Sequence, residues 1–155
     1  MPIKVVHSSE LPWSDALKRG RFEQRRKGLG SGRLACGLWE LAPGKRSFPL
    51  HAHYVTEEAL FVLSGRGKVR TPDGLTAIGP GDYVAFPAGG QAHQLVNDGT
   101  EPLVYLGLAA SQGVDVVEYP DSNKVGSAVG TGPDVKRFLV KKDAQPDYFE
   151  GEPDA

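Results

Sequence analysis

From Arg21 to Tyr119 the chain is a succession of short apolar runs cut at close, regular intervals by glycine and proline. Arg33–Leu41, Glu58–Leu63, Lys68–Thr71, Leu75–Ile78, Asp82–Phe86, Gln91–Asn97, Leu103–Ala109 and Val114–Tyr119 each carry strand-like patterning. The breaks have turn chemistry: Pro43-Gly44, Ser64-Gly65-Arg66-Gly67, Pro72-Asp73-Gly74, Gly79-Pro80-Gly81 and Pro87-Ala88-Gly89-Gly90. Proline presets φ for a turn and glycine supplies the left-handed position. Segments this short cannot be the long helices of a bundle, and the cadence predicts an antiparallel barrel or sandwich. With 20 glycines and 12 prolines, the composition agrees with many turns and few helices.

At 155 residues, with no internal repeat, the chain is expected to form one β-domain over residues 21–119. Residues 1–20 read as an N-terminal segment packing on it, with a short helix expected over Trp13–Lys18 and Gly20 as its stop. Residues 120–155 read as a C-terminal arm. There Gly126–Pro133 is loop-like, Val135–Val140 is an edge-strand candidate, and the pair Tyr148-Phe149 is an anchor for docking on this domain or a neighbour's.

Composition excludes several classes. A net charge of −1 provides no electrostatic attraction to nucleic acid or an anionic membrane. The basic knot Lys18, Arg19, Arg21, Arg25, Arg26 and Lys27 reads as a solvated sheet edge. No apolar run is long enough to cross a bilayer, and Met1-Pro2-Ile3-Lys4 lacks the character of a signal peptide. The single cysteine, Cys36, forbids an internal disulfide; alternating with Leu34 and Leu38, it reads as a small buried hydrophobe. A cytoplasmic location is expected.

The chemistry concentrates in His51-Ala52-His53-Tyr54-Val55-Thr56-Glu57-Glu58. Histidines at i and i+2 share one face of an extended strand. An antiparallel return brings Glu58 across from them, and His93 opens a further strand whose Leu95 and Asn97 share its face. Three imidazoles and a carboxylate suit a divalent transition metal: zinc, manganese, iron, nickel or copper. The competing reading is structural, with each histidine satisfied by a carbonyl and Glu58 paired with an arginine. The chain has 4 histidines, and three fall in this one pattern beside a carboxylate; the metal reading is preferred. His7, outside it, reads as a surface residue.

These residues also carry a family resemblance. Gly44–Gly65 resembles the first motif of the cupin superfamily, Gly-x5-His-x-His-x4-Glu-x6-Gly, with His51, His53, Glu58 and Gly65 in register and Gly44 one residue further away. Gly81–Asn97 resembles the second, Gly-x5-Pro-x-Gly-x2-His-x3-Asn. Gly81, Pro87, His93 and Asn97 correspond, with one extra residue before His93 and Gly89 or Gly90 in the glycine place. The resemblance implies a double-stranded β-helix (jelly-roll) barrel with a metal in its mouth, held by His51, His53, Glu58 and His93. The gap to Gly65 selects Glu58 over Glu57, which alternation turns away from the side of Leu60 and Val62. The Pro43-Gly44 start and the run Tyr119–Lys124 are similar to uncharacterised bacterial single-domain cupins, some of which carry names suggesting sugar-phosphate isomerase activity.

Two functions follow as expectations. The first is a metal-dependent enzyme on a small polar metabolite, a dioxygenase or an isomerase or epimerase, with Glu58 able to act as base and Tyr54, Tyr83, Gln91, Gln94 and Tyr105 as pocket contacts. The second is a non-catalytic module binding a small ligand or metal. Strands apolar on both faces, at Phe61/Leu63 and Val104/Leu106/Leu108, lead us to expect a homodimer.

Overall fold

The computed structural model describes residues 3–130, 134–144 and 146–153. These form β1 (Leu17–Arg19), β2 (Phe22–Gly30), β3 (Leu34–Leu41), β4 (Ala52–His53), β5 (Glu57–Ser64), β6 (Gly67–Thr71) and β7 (Gly74–Ile78). They continue with β8 (Tyr83–Phe86), β9 (Gln94–Val96), β10 (Leu103–Ala110), β11 (Val114–Tyr119), β12 (Lys124–Val129) and β13 (Lys136–Lys141). One antiparallel sheet runs β1-β2-β3-β10-β5-β8. Facing it are β7-β6-β9 and β13-β12-β11-β4, joined where His51 and His93 form an isolated antiparallel bridge. The result is a jelly-roll barrel, as the cadence of short strands predicts.

The two layers close because alternate residues of each strand are apolar. Leu41, Leu60, Val62, Leu103 and Tyr105 from the first sheet meet Val69, Ile78 and Leu95 from the second in one buried cluster. Trp39 and Tyr105 stack at 6.4 Å between ring centroids on the same inner face. Burial of such side chains, worth about 1.5–3 kcal/mol each, drives closure in a chain with no disulfide. Gly65 turns β5 toward β6 with φ of +78°, and a Cβ there would meet Pro102 O at 2.1 Å. Only a residue without a side chain permits that approach.

Three local expectations change. Trp13–Lys18 is not helical: a 3₁₀ turn occupies Ser8–Glu10, and Leu17–Arg19 pairs with β2 around Gly20. Six residues nucleate a helix poorly, whereas the strand edge supplies backbone partners at once. Trp13 lies instead beneath two cations of the basic knot, Arg25 at 4.7 Å and Lys27 at 5.0 Å from its ring. Lys18 pairs with Glu23 and Arg25 with Glu40, so the knot is partly neutralised. Cys36 is only partly buried.

The second and third corrections concern the arm. Gly126–Val129, expected as the start of a loop over Gly126–Pro133, belongs to a strand, Lys124–Val129, because β11 offers it a full register on one side and β13 on the other. Residues 131–133 lie outside the described part. Tyr148 and Phe149 pack against each other at 5.0 Å but stay 88% and 62% exposed, so they are not docked on this domain. No helix among the described residues is long and apolar enough to cross a membrane.

Candidate metal centre

The bridge between His51 and His93 is made by two backbone hydrogen bonds, His51 N to His93 O at 3.2 Å and the reverse at 2.8 Å. It holds the two imidazoles side by side, 4.7 Å between ring centroids. His53 sits two residues along, on β4, opposite Val117 of β11. Glu58 enters from the facing sheet, on the inner side of β5 with Leu60 and Val62, while Glu57 is exposed.

All three imidazole Nε2 atoms point at one oxygen. Glu58 Oε2 lies 3.2 Å from His93, 3.4 Å from His53 and 3.8 Å from His51. Donor atoms of His51, Glu58 and His93 fall within 4.8 Å of one another; His53 stands outside that tightest group although it reaches the same carboxylate. His51 and His93 are buried and Glu58 is half-buried, which strengthens the charge interactions between them.

The other ring nitrogens decide what the Nε2 atoms offer. His51 Nδ1 lies 2.8 Å from the carbonyl of Pro49, which can only accept, so the proton resides on Nδ1. His53 Nδ1 lies 2.5 Å from Asp115 Oδ2. Burial opposes ionisation of Asp115, but bonds from His53, Thr56 and the Val55 N–H outweigh it and hold its carboxyl below the usual range. A carboxylate there fixes the same tautomer in His53. Both rings therefore turn a lone pair on Nε2 toward Glu58.

Glu58 is itself an anion. Burial works against it, yet His51 and His93 hold its carboxyl well below the ordinary carboxylate range. The ionised oxygen among three imidazole nitrogens calls for a cation there, either a proton on a ring nitrogen or a metal ion. The donor set thus fits a divalent transition metal, with Pro49 O and Asp115 as the outer partners that aim two of its ligands. His93 is positioned differently. Its ring stacks on Phe86 at 3.8 Å and 12°, and its buried Nδ1 has no partner among the described residues.

Asp115 is the functional residue that sequence reasoning overlooks. Its signal is a lone acid on the buried phase of the apolar strand Val114-Asp115-Val116-Val117, where a carboxylate must have a partner. Substituting Asp115→Asn should weaken metal affinity about 10–100-fold, the usual weight of such outer partners. A competitive chelator titration reads this directly; an unchanged affinity would show that Asp115 does not aim His53.

The five expected pocket contacts are scattered. Tyr105 is buried on the inner face, with its hydroxyl 3.4 Å from Gln24 Oε1. Burial, aided by the charge of Glu58, pushes its phenol well above the usual range, so it keeps its proton. Tyr54 points the other way, donating to Glu118 Oε2 at 2.9 Å. It lines a cavity of about 240 Å³ with Ala52, His53, Gly89, Gly90 and Glu118, which includes only His53 of the ligand set. Tyr83 pairs with Phe61 on the outer face and is 63% exposed. Gln91 bonds Asp73 at the surface. Gln94 is buried behind the sheet, donating to Phe48 O and accepting from Arg46 and Arg70. His7 is exposed and caps the 3₁₀ turn at Ser8–Glu10.

Comparison with known proteins agrees with this architecture. The family profile described as Cupin domain matches residues 37–109. A sugar phosphate isomerase from the cupin superfamily of Silicibacter pomeroyi superposes with a TM-score of 0.77 at 22% identity, over 93% of this chain and 96% of that one. A putative sugar phosphate isomerase from Acidithiobacillus ferrooxidans is 33% identical, with a TM-score of 0.69 over 79% of this chain and 80% of its own. A predicted oxalate decarboxylase from Thermotoga maritima gives a TM-score of 0.62 at 24% identity, over 69% of this chain and 98% of that one. No curated protein sequence matches. The inward histidines, the paired glycine turns and these likenesses lead to one conclusion: the chain belongs to the cupin superfamily.

Proposed function

We propose that this cupin is a metal-dependent enzyme acting on a small polar metabolite, of the sugar-phosphate isomerase or epimerase type. A dioxygenase is the competing activity and a non-catalytic binding module the competing role. The observation that carries the reading is the convergence of three imidazole Nε2 atoms on one Glu58 oxygen, with the rings of His51 and His53 oriented from behind by Pro49 O and Asp115. His51, His53, Glu58 and His93 would hold the ion. When bound, such an ion supplies Lewis acidity toward a substrate carbonyl or hydroxyl. Glu58 would act as a base on releasing the ion. Tyr105, buried on the inner face, stays a neutral phenol. The isomerase wording draws support from the two relatives named sugar phosphate isomerase, which the chain follows over most of its length.

The test is elemental analysis of protein purified without added metal, followed by a panel of phosphorylated and unphosphorylated sugars on the metal-loaded form. About one transition-metal ion per chain and turnover of a panel member are expected. A metal-loaded protein inert toward every aldose–ketose pair would favour the binding-module role.

We also propose that the chain works as a homodimer through the outer face of the first sheet. There Leu106 lies between Leu38 and Phe61, and Leu108 between Cys36 and Ala59. Phe61 and Leu63 remain 39% and 48% exposed, and Ile3 and Val5 of the N-terminal segment 95% and 89%. An apolar face of this breadth calls for a partner. Light scattering should give a dimer mass, and Phe61→Glu with Leu63→Glu should give a monomer. A wild-type monomer at working concentration would remove the idea.

A further inference from the structure

β12 and β13 extend the metal-bearing sheet beyond β11, and their register places a row of cations on its inner side. Asp115, Val117 and Tyr119 of β11 face inward: Asp115 bonds His53, Val117 pairs with His53, and the Tyr119 ring stacks on His51 at 6.2 Å. Residues directly opposite in an antiparallel pair share a face. Tyr119 lies opposite Lys124, and Lys124 opposite Lys141; Asp115 lies opposite Ala128, and Ala128 opposite Arg137. Lys124, Arg137 and Lys141 therefore stand on the face that carries the histidines.

Side-chain positions agree with the register. Lys124 Nζ lies 5.8 Å from the centre of the Tyr119 ring, and the charge of Arg137 acts on the Tyr119 hydroxyl. One aromatic ring separates this cation pair from the metal ligand His51. Between the two cationic rows lie Gly126 and, opposite it, Leu139, whose Cδ1 covers the place where a Gly126 side chain would stand, 3.2 Å from its Cβ position. Among the described residues none of the three cations has a carboxylate within 4.0 Å, whereas Arg70 is taken by Asp121 and Lys142 by Glu118. Asp115, the one inward acid of β11, is occupied by His53 and by the N–H groups of Val55 and Thr56.

We infer that this hairpin is an anion clamp, in which Lys124, Arg137 and Lys141 hold the phosphate of a short phosphate ester whose other end reaches the metal centre. The assignment rests on the enzymatic reading above and names its substrate class. Three cations, one of them a guanidinium able to take two oxygens, match a dianion with three terminal oxygens better than a single carboxylate. The clamp also explains why the chain continues past β11. β12 and β13 add almost no buried apolar surface, all six residues of β13 being exposed. Besides Ala128 and Leu139, what they bring to the inner face is three cations.

The test uses the full chain, stripped of metal by a chelator, and calorimetric titration with glycerol phosphate, glycerol and succinate. Saturable binding of glycerol phosphate is expected, with none for glycerol and at least tenfold weaker binding for succinate. Arg137→Ala should weaken glycerol phosphate about tenfold, the weight of a charge-assisted hydrogen bond partly in solvent. Lys136→Ala makes the same change in net charge on the opposite face of the same strand and should leave binding unchanged. Equal loss in both variants, no loss in either, succinate binding as tightly as the ester, or no binding at all would each overturn the clamp. Metal content measured on the untreated protein reports separately on the metal centre, so failure of one reading is distinguishable from failure of the other.

Discussion

Replacing His51 and His93 together by alanine should abolish metal retention while leaving a folded barrel. Loss of one outer partner costs 10–100-fold in affinity, so loss of two ligands is expected to exceed about 100-fold. The measurement is metal per chain after dialysis, paired with thermal unfolding with and without added metal. At a free concentration 100 times Kd, a metal that binds only the folded state adds about 2.7 kcal/mol, or roughly 5–10 °C in Tm for a chain of this size. The wild type should show that rise and the double variant none. A variant that keeps the rise would remove His51 and His93 from the ligand set. The pH response follows from Glu58. Its depressed pKa keeps the carboxylate ionised until pH falls well below the ordinary carboxylate range.

Gly65→Ala is expected to be the most damaging single change in the barrel. The residue has φ of +78°, and the new Cβ would lie 2.1 Å from Pro102 O and 2.9 Å from Leu103 Cα. Both are backbone atoms, and Leu103 is completely buried, so neither can yield without moving β10. Left-handed strain alone costs about 1–3 kcal/mol; with the clash we expect about 4 kcal/mol or more, a large part of a domain's 5–15 kcal/mol. Gly44 is the control. Its φ is +70°, but nothing lies within 4 Å of its Cβ position. Gly44→Ala should therefore lower Tm by a few degrees and Gly65→Ala by more than about 10 °C, if it folds at all. Similar losses in the two would show that strain, not the approach to Pro102, sets the cost.

The same comparison shows how far each kind of information reaches. Gly65 is legible in the sequence as a turn glycine, because turn chemistry is local. That it must be glycine for reasons of contact depends on Pro102, more than thirty positions away. The wrong helix at Trp13–Lys18 has the same origin. A six-residue propensity is weak, and the edge of β2, together with Arg25 and Lys27 over Trp13, outweighs it. The strand at Lys124–Val129 escaped for lack of a strong apolar alternation; what makes it a strand is pairing on both sides.

By itself the sequence determined the strand cadence and the shared face of His51 and His53, since period-two alternation and turn residues act over a few positions; the resemblance to the cupin motifs added the family and the choice of Glu58 over Glu57. Only the tertiary structure decided that His93 bridges His51, that Asp115 stands behind His53, and that Tyr54, Tyr83, Gln91 and Gln94 point elsewhere. It also decided which side of the C-terminal hairpin carries its charges. Those facts depend on register between strands far apart in the chain, and one step of register turns every side chain to the other face.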